Sequence, residues 1–148
     1  MSVVKIWVHF VWSTKERQPF LMNPDVRRSL FEHVVENAKQ KDLHLECFNG
    51  WIDHVHALVS LGPNQTIAKV AQLLKGESSR WMNESGQLHS RFEWQNDYYA
   101  VSISEAAVGG VREYIRTQDE HHRMKSFGEE MEKIQDFRPR PSGQGGRG

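Results

Sequence analysis

From residue 4 to residue 12 every second side chain is apolar: Val4, Ile6, Val8, Phe10 and Trp12. That is the two-residue period of a strand with one buried face. A polar loop, Ser13 to Pro19, follows. Asn23-Pro24 then reads as a helix start, with Asn as cap and Pro at the first helical position. Leu30, Phe31, Val34, Val35 and Ala38 recur at helical spacing. Alternation returns at Leu43, Leu45 and Cys47, and Asn49-Gly50 is a hairpin signal. A third strand is predicted from about Trp51 to Leu61. Thr66 can cap a second helix whose apolar stripe is Ile67, Val70, Ala71, Leu73 and Leu74, ending near Gly86. A fourth strand is predicted over Tyr98 to Ile103. Ser104 with Glu105 opens a third helix, predicted to run to about Phe127. The order is βαββαβα. It predicts an α+β sandwich of the ferredoxin or RNA-recognition type, a four-stranded antiparallel sheet with helices on one face.

Size and composition fit one such domain. The chain has 148 residues, 38% of them hydrophobic, and 19 Lys+Arg balance 19 Asp+Glu. Residues 1–127 read as the domain and 128–148 as a mobile C-terminal extension rich in Glu, Arg-Pro and Gly. Zero net charge argues against a protein that grips nucleic acid by bulk electrostatics. Cys47 is the single cysteine, so neither an intrachain disulfide nor a cysteine-based zinc site can form. A reducing, cytoplasmic setting is the expectation. No segment approaches the ~20 apolar residues of a membrane span, so no membrane partner is expected.

Two local patterns could carry chemistry. Asp53-His54-Val55-His56 lies in the third predicted strand, and residues two apart on a strand share a face. Two imidazoles on one face can chelate a divalent metal, or they can be an ordinary half-buried pair. The other pattern, Tyr114-Ile115-Arg116-Thr117-Gln118, lies on the third helix. Tyr114, Gln118 and His121 fall within about 20–40° of one another at 100° per residue. Val108, Val111 and Ile115 form the neighbouring apolar stripe, which places the Tyr/Gln face at the edge of the buried face. Taken alone, this pattern reads first as an anchoring tyrosine at the core edge with Gln118 a solvated neighbour. The two patterns are expected by chance about 0.16 and 0.18 times in a chain of this composition.

Together they resemble the active site of the single-tyrosine, HUH-type transposases of small insertion sequences, a family that includes the REP-associated tyrosine transposases. The likeness extends to Trp12-Ser-Thr-Lys-Glu-Arg17 with Pro19, to Leu74-Lys75-Gly76-Glu-Ser78-Ser79-Arg80-Trp81, to Phe92-Glu-Trp94-Gln95 with Tyr98, and to Glu120-His121-His122 with Phe127. It covers about residues 3 to 130, in the family's order. The resemblance implies a DNA-strand transferase acting on hairpin-bearing single-stranded DNA. Tyr114 would be the nucleophile, forming a 5′-phosphotyrosine link. His54, His56 and Gln118 would hold Mg²⁺ or Mn²⁺, and imidazole ligands suit Mn²⁺ better. A homodimer with possible exchange of the tyrosine helix is implied as well.

Candidate DNA contacts are Lys15, Arg17, Lys75, Arg80 and His121. Arg112, Arg116 and Arg123 fall about 160–200° from Tyr114 and read as a solvated stripe. His9, His33, His44 and His89 lack partner spacing and read as structural. Gly109-Gly110 at the head of the tyrosine helix reads either as a frayed first turn or as a hinge. Two other readings are a domesticated REP-type hairpin processor with the same chemistry, and a non-enzymatic single-strand binder. The binder would need exposed aromatic residues on its sheet.

Overall fold

The computed structural model describes residues 2–118 together with residue 131. Its elements are β1 (Ile6–Ser13), α1 (Pro24–Gln40), β2 (His44–Gly50), β3 (His54–Leu61), α2 (Ile67–Ser85), β4 (Tyr99–Ile103) and α3 (Val108–Arg116). Short 3₁₀ turns at Lys15–Arg17 and Glu105–Ala107 follow β1 and precede α3. The sheet order is β2-β3-β1-β4, and every neighbouring pair is antiparallel. This is the expected α+β arrangement. Local chemistry sets several ends. The Asn23 side chain accepts from the Asp25 and Val26 amides, with Pro24 opening the helix. Thr66 accepts from the Lys69 amide, and such caps are each worth about 1 kcal/mol. Gly86 stops α2 at φ +72°, a left-handed conformation that glycine adopts without strain.

Each central strand serves two apolar layers. Val8, Phe10 and Trp12 of β1 and Val55, Ala57 and Val59 of β3 face α1 and α2, packing with Leu30, Val34, Val70 and Leu74. The expectation of helices on one face holds for α1 and α2. The third helix lies across the opposite face, where Val11, Leu58, Val101 and Ile103 meet Val108, Val111 and Ile115. β1 is therefore buried on both sides rather than one, with Val11 and Trp12 each 2% exposed. The alternation of Val8, Phe10 and Trp12 hid this, because the other face of β1 includes His9, which a polarity pattern scores as solvent-facing.

Two further differences bear on the site. Asn49 and Gly50 are the last residues of β2, not the turn; the chain turns over Trp51–Asp53, and β3 begins at His54. A Cβ at Gly50 would run into the His54 carbonyl oxygen and lie 2.8 Å from the Val55 Cα. This glycine is thus required by close approach of the two strands. Gly109 and Gly110 both lie inside the first turn of α3. The third helix, expected as one run to about Phe127, ends at Arg116, where Thr117 leaves helical geometry (φ −105°, ψ 32°) and caps it, so Gln118 lies just beyond α3. The positions near Phe127 and the extension 128–148 lie outside the described residues, Met131 excepted. Met131 packs against the layer that holds α3.

Candidate active site

The period of β3 places His54, His56 and Leu58 on the face covered by α3. Pairing puts His54 opposite Ser13, and His56 between Val11 and Asn49. The two imidazoles stand edge to face with centroids 5.2 Å apart. From α3, the Tyr114 ring meets His56 edge to face at 5.9 Å. His54, His56 and Tyr114 are thus in contact in succession, and Gln118 reaches the Tyr114 carbonyl. His54, His56 and Gln118 have no exposed surface, and Tyr114 retains 6%. The sequence predicted a half-solvated Tyr/Gln edge, whereas that face is turned into the sheet. Three contacts roll the helix inward. Asn49 Nδ2 donates to the carbonyls of Ile115 (2.9 Å) and Arg116 (3.2 Å) at the helix end. Arg112 pairs with Glu46 of β2 at 2.9 Å, so it is a docking residue rather than part of a solvated stripe. The apolar stripe Val108, Val111 and Ile115 supplies the third. Gln118 Nε2 donates back to the Tyr114 carbonyl at 3.3 Å.

Both histidines are oriented at Nδ1. His54 Nδ1 donates to Asp53 Oδ1 at 2.9 Å, and Arg17 lies 3.5 Å from the other Asp53 oxygen. Burial pushes the Asp53 carboxyl up, but the His54 hydrogen bond and the charge of Arg17 outweigh it, so the carboxyl sits below its usual range. Thr14 fixes the backbone there, its amide donating to the Asp53 carbonyl at 2.9 Å. Glu16 and Arg17 both have positive φ (54° and 55°), an uncommon conformation for side-chain-bearing residues, where the chain curls toward Asp53. His56 Nδ1 shares a 3.0 Å hydrogen bond with His9 Nε2. His9 is completely buried. Its part in the site was not legible, because only the β1–β3 register brings it to His56. Among the described residues no three His, Cys, Asp or Glu side chains converge as a metal site.

The candidate DNA contacts scatter. Lys15 and Lys75 line one cleft of about 410 Å³ with Ser79, Trp94 and Gln95. Lys15 is paired with Glu93 at 2.9 Å. Lys75 Nζ donates to the carbonyls of Gln95 (2.7 Å) and Asn96 (2.8 Å), and burial holds its ammonium below the ordinary lysine value. It thereby holds the approach to β4. Arg80 is clasped by Glu77 and Glu84, both at 2.7 Å. Arg17 alone among them adjoins the histidine pair, through Asp53. His121, like Arg123, lies outside the described residues. Among the described residues no helix is long and apolar enough to cross a membrane.

The model of the IS200-like transposase family matches residues 2–118, most of the chain. The chain belongs to that family. Its relatives include the ISDra2 transposase TnpA of Deinococcus radiodurans, 29% identical over 121 residues that cover 78% of this chain and 86% of the relative. A crystal structure from Deinococcus radiodurans R1, of a chain proposed to be a transposase, superposes with a TM-score of 0.63 at 29% identity, covering 79% of this chain and 93% of that one. A REP-associated tyrosine transposase, solved bound to a REP hairpin, has a TM-score of 0.53 at 12% identity, covering 80% and 67%. At that identity the likeness is one of fold. Membership of the IS200-like transposases implies DNA cleavage and strand transfer as the class of activity.

Proposed function

We propose that this IS200-like transposase cleaves and rejoins single-stranded DNA through Tyr114, with a divalent metal held by His54, His56 and Gln118. The observation that carries the reading is the packing of the Tyr114 ring against His56. Two motifs far apart in sequence meet in one buried layer, and a solitary core tyrosine has no need of that meeting.

Tyr114 Oη would attack the scissile phosphorus, forming the P–Oη bond as the P–O3′ bond breaks. The phenol proton is lost and the departing oxygen gains one, leaving a 3′-OH and a 5′-phosphotyrosine. Attack by a 3′-OH on that link reverses the balance and joins strands without an external energy source. Tyrosine has a reference pKa near 10, so it needs a neighbouring positive centre or a base. The residues present fit a metal. His54 and His56 project from a central strand with Nδ1 of each already engaged, the usual arrangement when Nε2 is the ligating nitrogen. Gln118 turns its amide nitrogen to the Tyr114 carbonyl of α3, so a metal would take the amide oxygen. When bound, Mg²⁺ or Mn²⁺ would polarise a phosphoryl oxygen. All three ligands are neutral, so the ion's charge would be undiminished, and Mn²⁺ should serve at least as well as Mg²⁺.

The non-enzymatic reading needed exposed sheet aromatics, and α3 covers the face that would carry them. The domesticated hairpin processor shares the chemistry and is distinguished by the flanking DNA. A homodimer belongs to the same proposal, although one chain supplies all four site residues; sedimentation as a monomer at micromolar concentration would remove it. The central test is incubation with hairpin-bearing single-stranded DNA from the gene's own neighbourhood plus Mn²⁺. A covalent protein–DNA adduct is expected, and Tyr114→Phe should abolish it while leaving DNA binding intact. An adduct that survives in Tyr114→Phe sinks the nucleophile assignment, and cleavage that persists in His56→Ala or with chelator sinks the metal.

A further inference from the structure

We propose that His9 is a positioning residue that fixes which nitrogen His56 presents to the metal; this rests on the metal reading above. His9 is wholly buried on β1, and its strand partners are the apolar Leu58 and Val101. A polar ring in such a layer carries a desolvation cost that Leu or Phe would avoid. What it reaches from there is His56: Nε2 to Nδ1 at 3.0 Å, with ring centroids 5.2 Å apart and planes tilted by 32°.

A neutral imidazole has one N–H and one lone-pair nitrogen. The His9–His56 hydrogen bond can therefore run in two senses. If His9 Nε2–H donates, neutral His56 carries its own proton on Nε2 and has no lone pair there for a metal. If His56 Nδ1–H donates, His9 Nε2 is the acceptor and the lone pair of His56 lies on Nε2. The second sense matches His54. Ionised Asp53 only accepts, so His54 Nδ1 carries the proton and Nε2 the lone pair. In this second sense one histidine is set by a carboxylate and the other by a neutral imidazole, and both keep the lone pair on Nε2. A neutral partner for His56 does this without placing a second carboxylate beside the phosphate.

The experiment measures Mn²⁺ affinity of the whole, DNA-free protein from the free-Mn²⁺ paramagnetic resonance signal. The chains compared are wild type, His9→Phe, His9→Gln, His9→Asn and His56→Ala. The Gln carbonyl oxygen reaches near the position of Nε2; that of Asn stops one bond short. His9→Phe should weaken binding about 10–100-fold, His9→Gln should restore it to within about threefold, and His9→Asn should not. A second readout needs no metal. Long-range proton–nitrogen correlation should find His56 in the Nδ1–H tautomer in the wild type and in Nε2–H in His9→Phe. If His9→Phe fails to fold, the Gln and Asn variants decide alone, being amides of like polarity. Equal Mn²⁺ affinity in those two, or wild-type affinity and tautomer in His9→Phe, overturns the role of His9. A wild type that does not bind Mn²⁺, or His56→Ala that binds it normally, overturns the metal reading and the role of His9 with it.

Discussion

Cys47 shows how one side chain reports on the layer it occupies. It sits opposite Leu58 on the α3 face of the sheet. Burial pushes its thiol up to about 11; Glu46 adds to this, and Arg112 and Arg116 offset part of it. The thiolate fraction at pH 8 is then about a hundredfold below that of an ordinary cysteine. Alkylation by iodoacetamide should be slower by that factor in the folded chain than in denaturant, and should quicken only as pH climbs toward 11. Equal rates would show that the thiol is not shielded. Residue chemistry was legible where geometry is local. Asp53-His54-Val55-His56 needs only a strand's period to aim both rings one way, and Tyr114 needs only a helix's; Gln118 lies past the break at Thr117 and is tied back by its bond to the Tyr114 carbonyl. His9 was not legible, because its partner is chosen by strand pairing, and no spacing along the chain encodes that. Lys75 and Arg80 were read from charge type alone, and the structure gives each of them a partner within the fold.

At the level of the element, α3 is the one that departs from its sequence reading. The heptad-scale pattern identified its apolar stripe correctly, but the roll of the helix depends on Asn49 and Arg112, which lie outside that pattern. Likewise Asn49-Gly50 carries hairpin chemistry, yet Gly50 is needed for clearance against His54, and the turn moved three residues on. Gly109 and Gly110 are different. Both are exposed and have ordinary negative φ, and a Cβ at either would meet nothing within 4 Å. Packing therefore does not require them. Gly110→Ala should raise stability by up to about 0.8–1.0 kcal/mol, read as a higher denaturant midpoint with unchanged slope. A lower midpoint would show that the turn is strained in a way the geometry does not reveal. Adduct formation by the same variant addresses the hinge: wild-type strand transfer would leave the glycines no part in moving the helix.

For the whole molecule, zero net charge takes on a local meaning. Lys15, Arg17 and Arg80 are each paired with a carboxylate, and Lys75 is held by backbone carbonyls. DNA would have to displace those partners. A site that neutralises one scissile phosphate with a metal needs little bulk charge, so the affinity should depend strongly on DNA structure and weakly on salt. Single-strand binding should fall with log salt less steeply than about −5.6, the slope for eight phosphate contacts; a steeper one would mean that the charge balance had been misread. The two-sided use of β3 carries a separate consequence for how such a chain can diverge. Its odd and even positions belong to different interiors, both largely apolar, of which only the even one also carries the histidines. Losing or gaining a single codon between His54 and Leu61 would exchange the two, sending imidazoles among Leu30 and Val34 and aliphatic groups beneath Tyr114. Substitution is open to this strand and a change of length is not. Variation in length is left to the surface connections, such as Gly62–Gln65 between β3 and α2.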